Sequence, residues 1–81
     1  MDEYENTTEE DLLVLKKRIE YFFSNKVPVH KSKKDGWFSN GLILEFNGDL
    51  VIINDVVRGA VPVYLIEIKY VEKQNVVKKE W

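Results

Sequence analysis

Three lysines, Lys31, Lys33 and Lys34, stand just ahead of the aromatic pair Trp37 and Phe38. Ammonium groups beside exposed rings suit single-stranded nucleic acid: the cations neutralise phosphate, and a ring face accepts any base with little sequence preference. The plainer reading of the same residues is a solvated hairpin tip next to a core or interface aromatic. Arg58 precedes Gly59 in a turn, where a guanidinium can grip phosphate with two parallel hydrogen bonds. It can equally pair with nearby Asp55. Lys16, Lys17 and Arg18 form a second basic run, which reads as a solvated helix face or one turned toward RNA. His30 stands next to lysine and reads as a structural or surface group.

No enzyme constellation accompanies these cations. The chain has no cysteine and one histidine, so it offers neither a disulfide nor a closed zinc site of the usual ligands. It has no glycine-rich phosphate loop and no metal-ligand spacing. The expectation is a protein without catalytic residues, metal or cofactor.

Eighty-one residues suffice for one domain, and a chain so short buries a modest share of its surface. Without staples, oligomerisation is a remaining source of stability. No apolar run reaches the roughly 18 residues of a membrane span, and the acidic start is unlike a secretory signal. These features point to the cytoplasm. The net charge of −2 hides an asymmetry: positions 1–11 carry six acids and no base, while positions 12–81 carry twelve bases against eight acids. Positions 1–8 read as a disordered acidic arm, either solubilising or able to shield a basic face.

The cations need elements to hold them. Thr7 and Thr8 ahead of Glu10 and Asp11 fit a capping box. Leu12, Leu15, Ile19, Phe22 and Phe23 recur at helical spacing, predicting a helix from about Glu9 to Ser24 that Pro28 cannot continue. Val27 to Lys33 reads as a first strand. Trp37 to Phe46 reads as a long second strand bent at Gly41. Asn47-Gly48 is a strong hairpin signal. Leu50 to Asn54 follows as a central strand, and Asp55 to Gly59 turns the chain. Val61 to Leu65 and Lys69 to Glu72 make two short strands, joined by a step at Ile66-Glu67-Ile68. Residues 9–73 thus form the domain, its barrel spanning about 26–73, with 74–81 as a tail containing Trp81. By alternation Lys31 and Lys33 share the inward face of Val27 and Val29. Either the strand ends early, or the lysine stems reach an open end of the barrel.

This order resembles the Sm-like family in its Hfq-like branch: a mainly β, five-stranded, strongly bent SH3-like barrel behind an N-terminal α-helix. The resemblance rests on Val27-Pro28-Val29, Asp35-Gly36, Gly41, Ile43, Phe46-Asn47 and Val51-Ile52-Ile53, then Val63-Tyr64-Leu65-Ile66 with Ile68 and Val71. It implies homo-oligomeric rings in which the fourth strand of one subunit pairs with the fifth of the next. Val61, Val63, Tyr64, Leu65, Tyr70 and Val71 are the implied interface candidates. It also implies single-stranded RNA as partner, with Lys31, Lys33, Lys34, Trp37, Asn47 and Arg58 as candidate contacts. The family's uridine-holding Lys and His correspond here to Leu65 and Ile66, its aspartate to Asn47 and its stacking ring to Asp49. Alternatively, Arg58-Gly59 matches the Arg-Gly of archaeal and eukaryotic Sm proteins, a register that leaves too little chain for a fourth strand. Two functions follow: RNA binding mainly through phosphate, or a scaffold with this fold that has lost the nucleotide pocket.

Overall fold

The computed structural model describes residues 9–74. The capping threonines, the acidic arm and the tail beyond Gln74, including Trp81, lie outside the described residues. The described chain runs as α1 (Glu9–Ser24), β1 (Val29–Lys33), β2 (Phe38–Asn47), β3 (Leu50–Asp55), β4 (Gly59–Tyr64), a 3-10 turn (Leu65–Glu67) and β5 (Ile68–Lys73).

The helix occupies the predicted residues because local chemistry sets both ends. Glu9, Glu10 and Asp11 place negative charge at its N-terminal dipole. At the other end Lys26 takes a left-handed conformation, φ 55°. The Lys26 amide then donates to the Phe23 carbonyl (3.3 Å) and the Val27 amide to that of Phe22 (3.0 Å). This is the paired closure that satisfies the last helical carbonyls. It also corrects the start of β1: Val27 is committed to closing the helix, so the strand begins at Val29. Ile19 is fully buried, and Leu12, Leu15, Phe22 and Phe23 pack against the same core. The Arg18 guanidinium donates to the Val71 carbonyl (3.1 Å), tying the helix to β5.

All five strands form one antiparallel sheet in the order β4-β3-β2-β1-β5. The sheet bends over the helix-facing core of Val29, Ile43, Val51, Ile53, Val63 and Val71. Its edges, β4 and β5, do not pair with each other, so the barrel is not closed. Gly48 (φ 61°) opens the two-residue β2–β3 turn in the conformation such hairpins favour at this position. The predicted fourth strand shifts: it starts at Gly59, because the β3–β4 ladder runs back to the Asp55–Gly59 pair, and it ends at Tyr64.

Two devices bend β2. At Gly41 the strand approaches β3 so closely that an added Cβ would stand 2.8 Å from the carbonyl carbon of Asn54 and closer still to its oxygen. Just beyond, the register slips between Ile43 and Glu45, leaving Leu44 as an unmatched residue. The sequence signals the first device and is silent about the second. Gly41→Val should therefore cost on the order of 3 kcal/mol or more, through displaced backbone rather than lost packing. A denaturant melt checks this, the expected result being a lower midpoint for Val than for a control at an exposed helix position such as Lys17→Ala.

Candidate nucleic-acid interface

Lys31 lies mid-strand in β1, opposite Ser39 of β2. Both are inward positions, and both are buried: Lys31 is 1% exposed and Ser39 fully enclosed. The strand does not end early, so the lysine stem runs through the core layer toward the open end of the sheet. Asp55, 6% exposed, closes the same layer at the end of β3. Three inward sites at the barrel mouth, Lys31, Ser39 and Asp55, are therefore polar where further core would be apolar.

Asp55 organises this mouth. Its carboxylate accepts the backbone amides of Val57 (2.8 Å) and Arg58 (2.9 Å) in the turn, and of Asn40 (3.1 Å) across the sheet. The Arg58 guanidinium adds an ion pair at 3.4 Å. The amides of Arg58 and Val57, aided by those other donors, hold the carboxyl well below the usual carboxylate range. Arg58 Nη2 also donates to the Phe38 carbonyl and to Ser39 Oγ, the latter at 3.3 Å. The plain expectation for Arg58, pairing with Asp55, is met, and the pairing aims the guanidinium inward over β2.

Trp37 stacks over that guanidinium, 5.4 Å from ring centroid to Cζ, and stays 63% exposed. Lys33 pairs with Asp35 at 3.5 Å, whose Oδ1 also accepts the Trp37 amide (3.0 Å). Lys31, Lys33, Asp35, Trp37, Ser39 and Arg58 consequently line one cleft of about 280 Å³, together with Val61 and Pro62 of β4. Burial lowers the Lys31 pKa below the ordinary lysine value; Lys33 and Arg58 push the same way, against Asp35 and Glu67.

Not every candidate gathers here. Lys34 lies one residue beyond Lys33, but the turn sends it to the groove between α1 and β5, shared with Arg18 and Tyr70. Its amide donates to the Glu67 carbonyl (3.0 Å). Asn47 sits at the opposite end of β2, opposite Leu50 beside the hairpin turn. Phe38, 53% exposed, lies on the outer face of the sheet, where it and Tyr70 flank the ring of His30 at 5.5 and 6.0 Å. His30 Nδ1 is 2.7 Å from Asn40 Oδ1, in keeping with its structural reading. Sequence reasoning did not single out Ser39, and alternation with buried Gly41 and Ile43 is the signal that could have found it.

Asp49, Tyr64, Leu65 and Ile66 do meet, around a second cleft of about 260 Å³. The Leu65 amide donates to the Asp49 carbonyl (2.9 Å). This cleft carries a carboxylate and aliphatic side chains, and Lys16 approaches the carboxylate at 3.9 Å.

Among solved structures, the chain is similar to the crystal structure of the pleiotropic translational regulator Hfq. The TM-score is 0.62 at 22% identity, over 72% of this chain and 95% of that one. No protein-family model matches the sequence, and no curated protein matches it. The likeness shows the fold: an N-terminal helix and five antiparallel strands in the bent, open sheet of the Sm type.

The Asp55 carboxyl predicts a pH response. Its folded pKa lies below its unfolded one, so the unfolded state binds the proton first as pH falls. The stabilisation is complete above the unfolded value near 4 and is lost progressively in stronger acid. Asp55→Asn should lower the melting temperature at neutral pH and flatten the acid limb of a stability–pH curve, read by thermal melts from pH 7 to pH 2.

Proposed function

We propose that the protein is a non-enzymatic Sm-type ring subunit that binds single-stranded RNA mainly through phosphate. The observation that carries this reading is the convergence of Lys31, Lys33 and Arg58 on one cleft with an exposed tryptophan at its rim. The guanidinium occupies one face of Trp37, and the other is available to a base. Base discrimination has little to act on. Where the family resemblance puts the uridine pocket, the chain offers Asp49, Leu65 and Ile66, of which only the aspartate can hydrogen-bond through its side chain, and it carries the charge of the ligand.

Assembly is supported by the sheet's two open edges, β4 and β5, which are a liability unless paired. A β4-to-β5 contact is heterologous and closes into a ring when its rotation permits. The interface role now divides. The side chains of Val63, Leu65 and Val71 are buried within the single chain, so their contribution is the backbone they carry. Val61, Tyr64 and Tyr70 remain at least partly exposed and supply the side-chain contacts. Val56 and Val57, 73% and 85% exposed at the β3–β4 turn, add apolar surface beside the same edge.

Light scattering at micromolar concentration should give a mass several times 9.6 kDa. Tyr64→Lys, which places the residue proteins use to blunt edge strands, should release folded monomers. A parent that stays monomeric overturns the ring.

Anisotropy titrations with uridine-rich and adenine-rich oligonucleotides at two salt concentrations test the RNA reading. Affinity should fall steeply with salt, with little difference between sequences. Lys33→Ala should weaken both oligonucleotides alike and reduce the log–log salt slope by about 0.7. Absence of binding at low salt overturns the RNA reading in favour of a scaffold. A strong uridine preference that survives Lys33→Ala overturns the phosphate-dominated mode.

A further inference from the structure

We propose that the floor of the cleft, formed by Lys31 between Lys33 and Arg58, is a receptor for a phosphate monoester: the terminal phosphate of an RNA strand, or free phosphate. For the strand terminus, the inference rests on the RNA-binding reading and specifies which part of the strand enters the site.

The charge arrangement carries the argument. Two of the three cations have carboxylate partners: Lys33 with Asp35 and Arg58 with Asp55. Lys31 has no such pair among the described residues, yet it is the most deeply buried of the three, 1% exposed. A buried ammonium that faces Lys33 and Arg58, with Asp35 and Glu67 compensating only in part, is costly in the empty protein. Its lowered pKa reports the same strain. An anion entering the cleft removes that cost, which gives Lys31 a larger gain on binding than an exposed lysine would have.

Shape selects the kind of anion. The cleft, about 280 Å³, is just below the ~300–1,000 Å³ of ordinary small-molecule pockets. Lys31 and Ser39 are its most deeply buried lining residues, and Lys33, Asp35, Trp37, Arg58, Val61 and Pro62 complete its lining. An internal phosphodiester must leave room for chain on both sides. A terminal phosphate needs an exit on one side only, so it can reach the floor end-on. A monoester also brings up to two negative charges, against one for a diester. Ser39 Oγ, already 3.3 Å from Arg58 Nη2, adds a hydroxyl at the same depth.

The test uses the full chain and Lys31→Met, which substitutes an apolar stem of similar length for the buried charge. Inorganic phosphate is titrated by calorimetry into both proteins. Each is then titrated with one oligonucleotide sequence bearing a 5′-phosphate, a 3′-phosphate or hydroxyls at both ends. Lys31→Met should melt at a higher temperature than the parent, bind inorganic phosphate at least about tenfold more weakly, and erase a preference of about tenfold for a phosphorylated end, the size expected for one charge-assisted contact. If Lys31→Met does not fold, the Lys31 side-chain NMR signals of the parent must shift on phosphate addition, and their failure to move overturns the proposal. Loss of phosphate binding in Lys31→Met with no oligonucleotide bound by the parent supports the site with free phosphate as its ligand, and overturns the RNA reading alone. A phosphorylated-end preference lost in Lys31→Met supports the strand terminus even without measurable inorganic phosphate binding. Oligonucleotide binding that ignores both the terminal phosphate and Lys31→Met overturns the inference and leaves the RNA reading standing.

Discussion

The mouth of this barrel depends on one carboxylate. Asp55 ends β3, and its oxygens are shared between two amides of the following turn, one amide of β2 and the Arg58 guanidinium. An inward carboxylate in a β-layer would ordinarily be expelled or neutralised. Here enough donors surround it that the ionised form is favoured. The turn amides fix the path of residues 56–58, and that path brings the guanidinium back over β2. The guanidinium then holds Phe38 and Ser39 from above and supports Trp37. The position of the exposed ring is therefore a consequence of a buried acid at the far end of β3.

The hydrophobic part of the fold solves a different problem. A five-stranded sheet with one helix must curl to cover its inner face. Close approach at Gly41 and the unmatched Leu44 concentrate curvature in β2. The helix closes the other side of the core through Ile19 and is held at its middle by the Arg18 contact to β5. Curvature leaves the two ends of the sheet unlike each other. One end is apolar and covered by the helix; the other is polar and open. The cationic cleft belongs to the open end because only there can the Lys31 stem cross the core layer and bring its charge to a cleft.

What the sequence discloses follows the range of the forces involved. The bounds of α1 were legible because first-turn acids mark its start and Pro28 forbids its continuation, whereas the closure at Lys26 carried no sequence signal. The Asn47-Gly48 turn and the Gly41 bend were legible as local signals of the same kind. Strand ends were less so, since partners decide them: Val27 serves the helix, and Gly59 joins β4 through its pairing with Asp55. Alternation already placed Lys31 inward, an apparent conflict that the structure resolves in favour of burial. The assembly of the cleft was not legible. Arg58 meets the β1–β2 hairpin only because Asp55 reaches Asn40, a contact fifteen residues apart in sequence. Conversely, Lys34 adjoins Lys33 in sequence and parts from it in space, because a tight turn separates them.

The two clefts illustrate how one fold can relocate its chemistry. Around Asp49, Leu65 and Ile66 the walls are aliphatic and the one lining charge is a carboxylate that faces Lys16, which offers few donors to a base. Around Lys31 the inward positions that would normally extend the core have become lysine, serine and aspartate. Asp55 is compensated by its donors, whereas the Lys31 charge has no carboxylate partner among the described residues and is the costly member of the set. Under the proposed anion-binding reading, the polarity of these positions is a charge held ready at fixed geometry: desolvation of Lys31 is met during folding, so an anion would encounter a preformed, weakly hydrated cation rather than a mobile surface lysine. The end of the molecule where the inward layer is least hydrophobic is thus the end where the fold fixes its buried charges, Lys31 and Asp55.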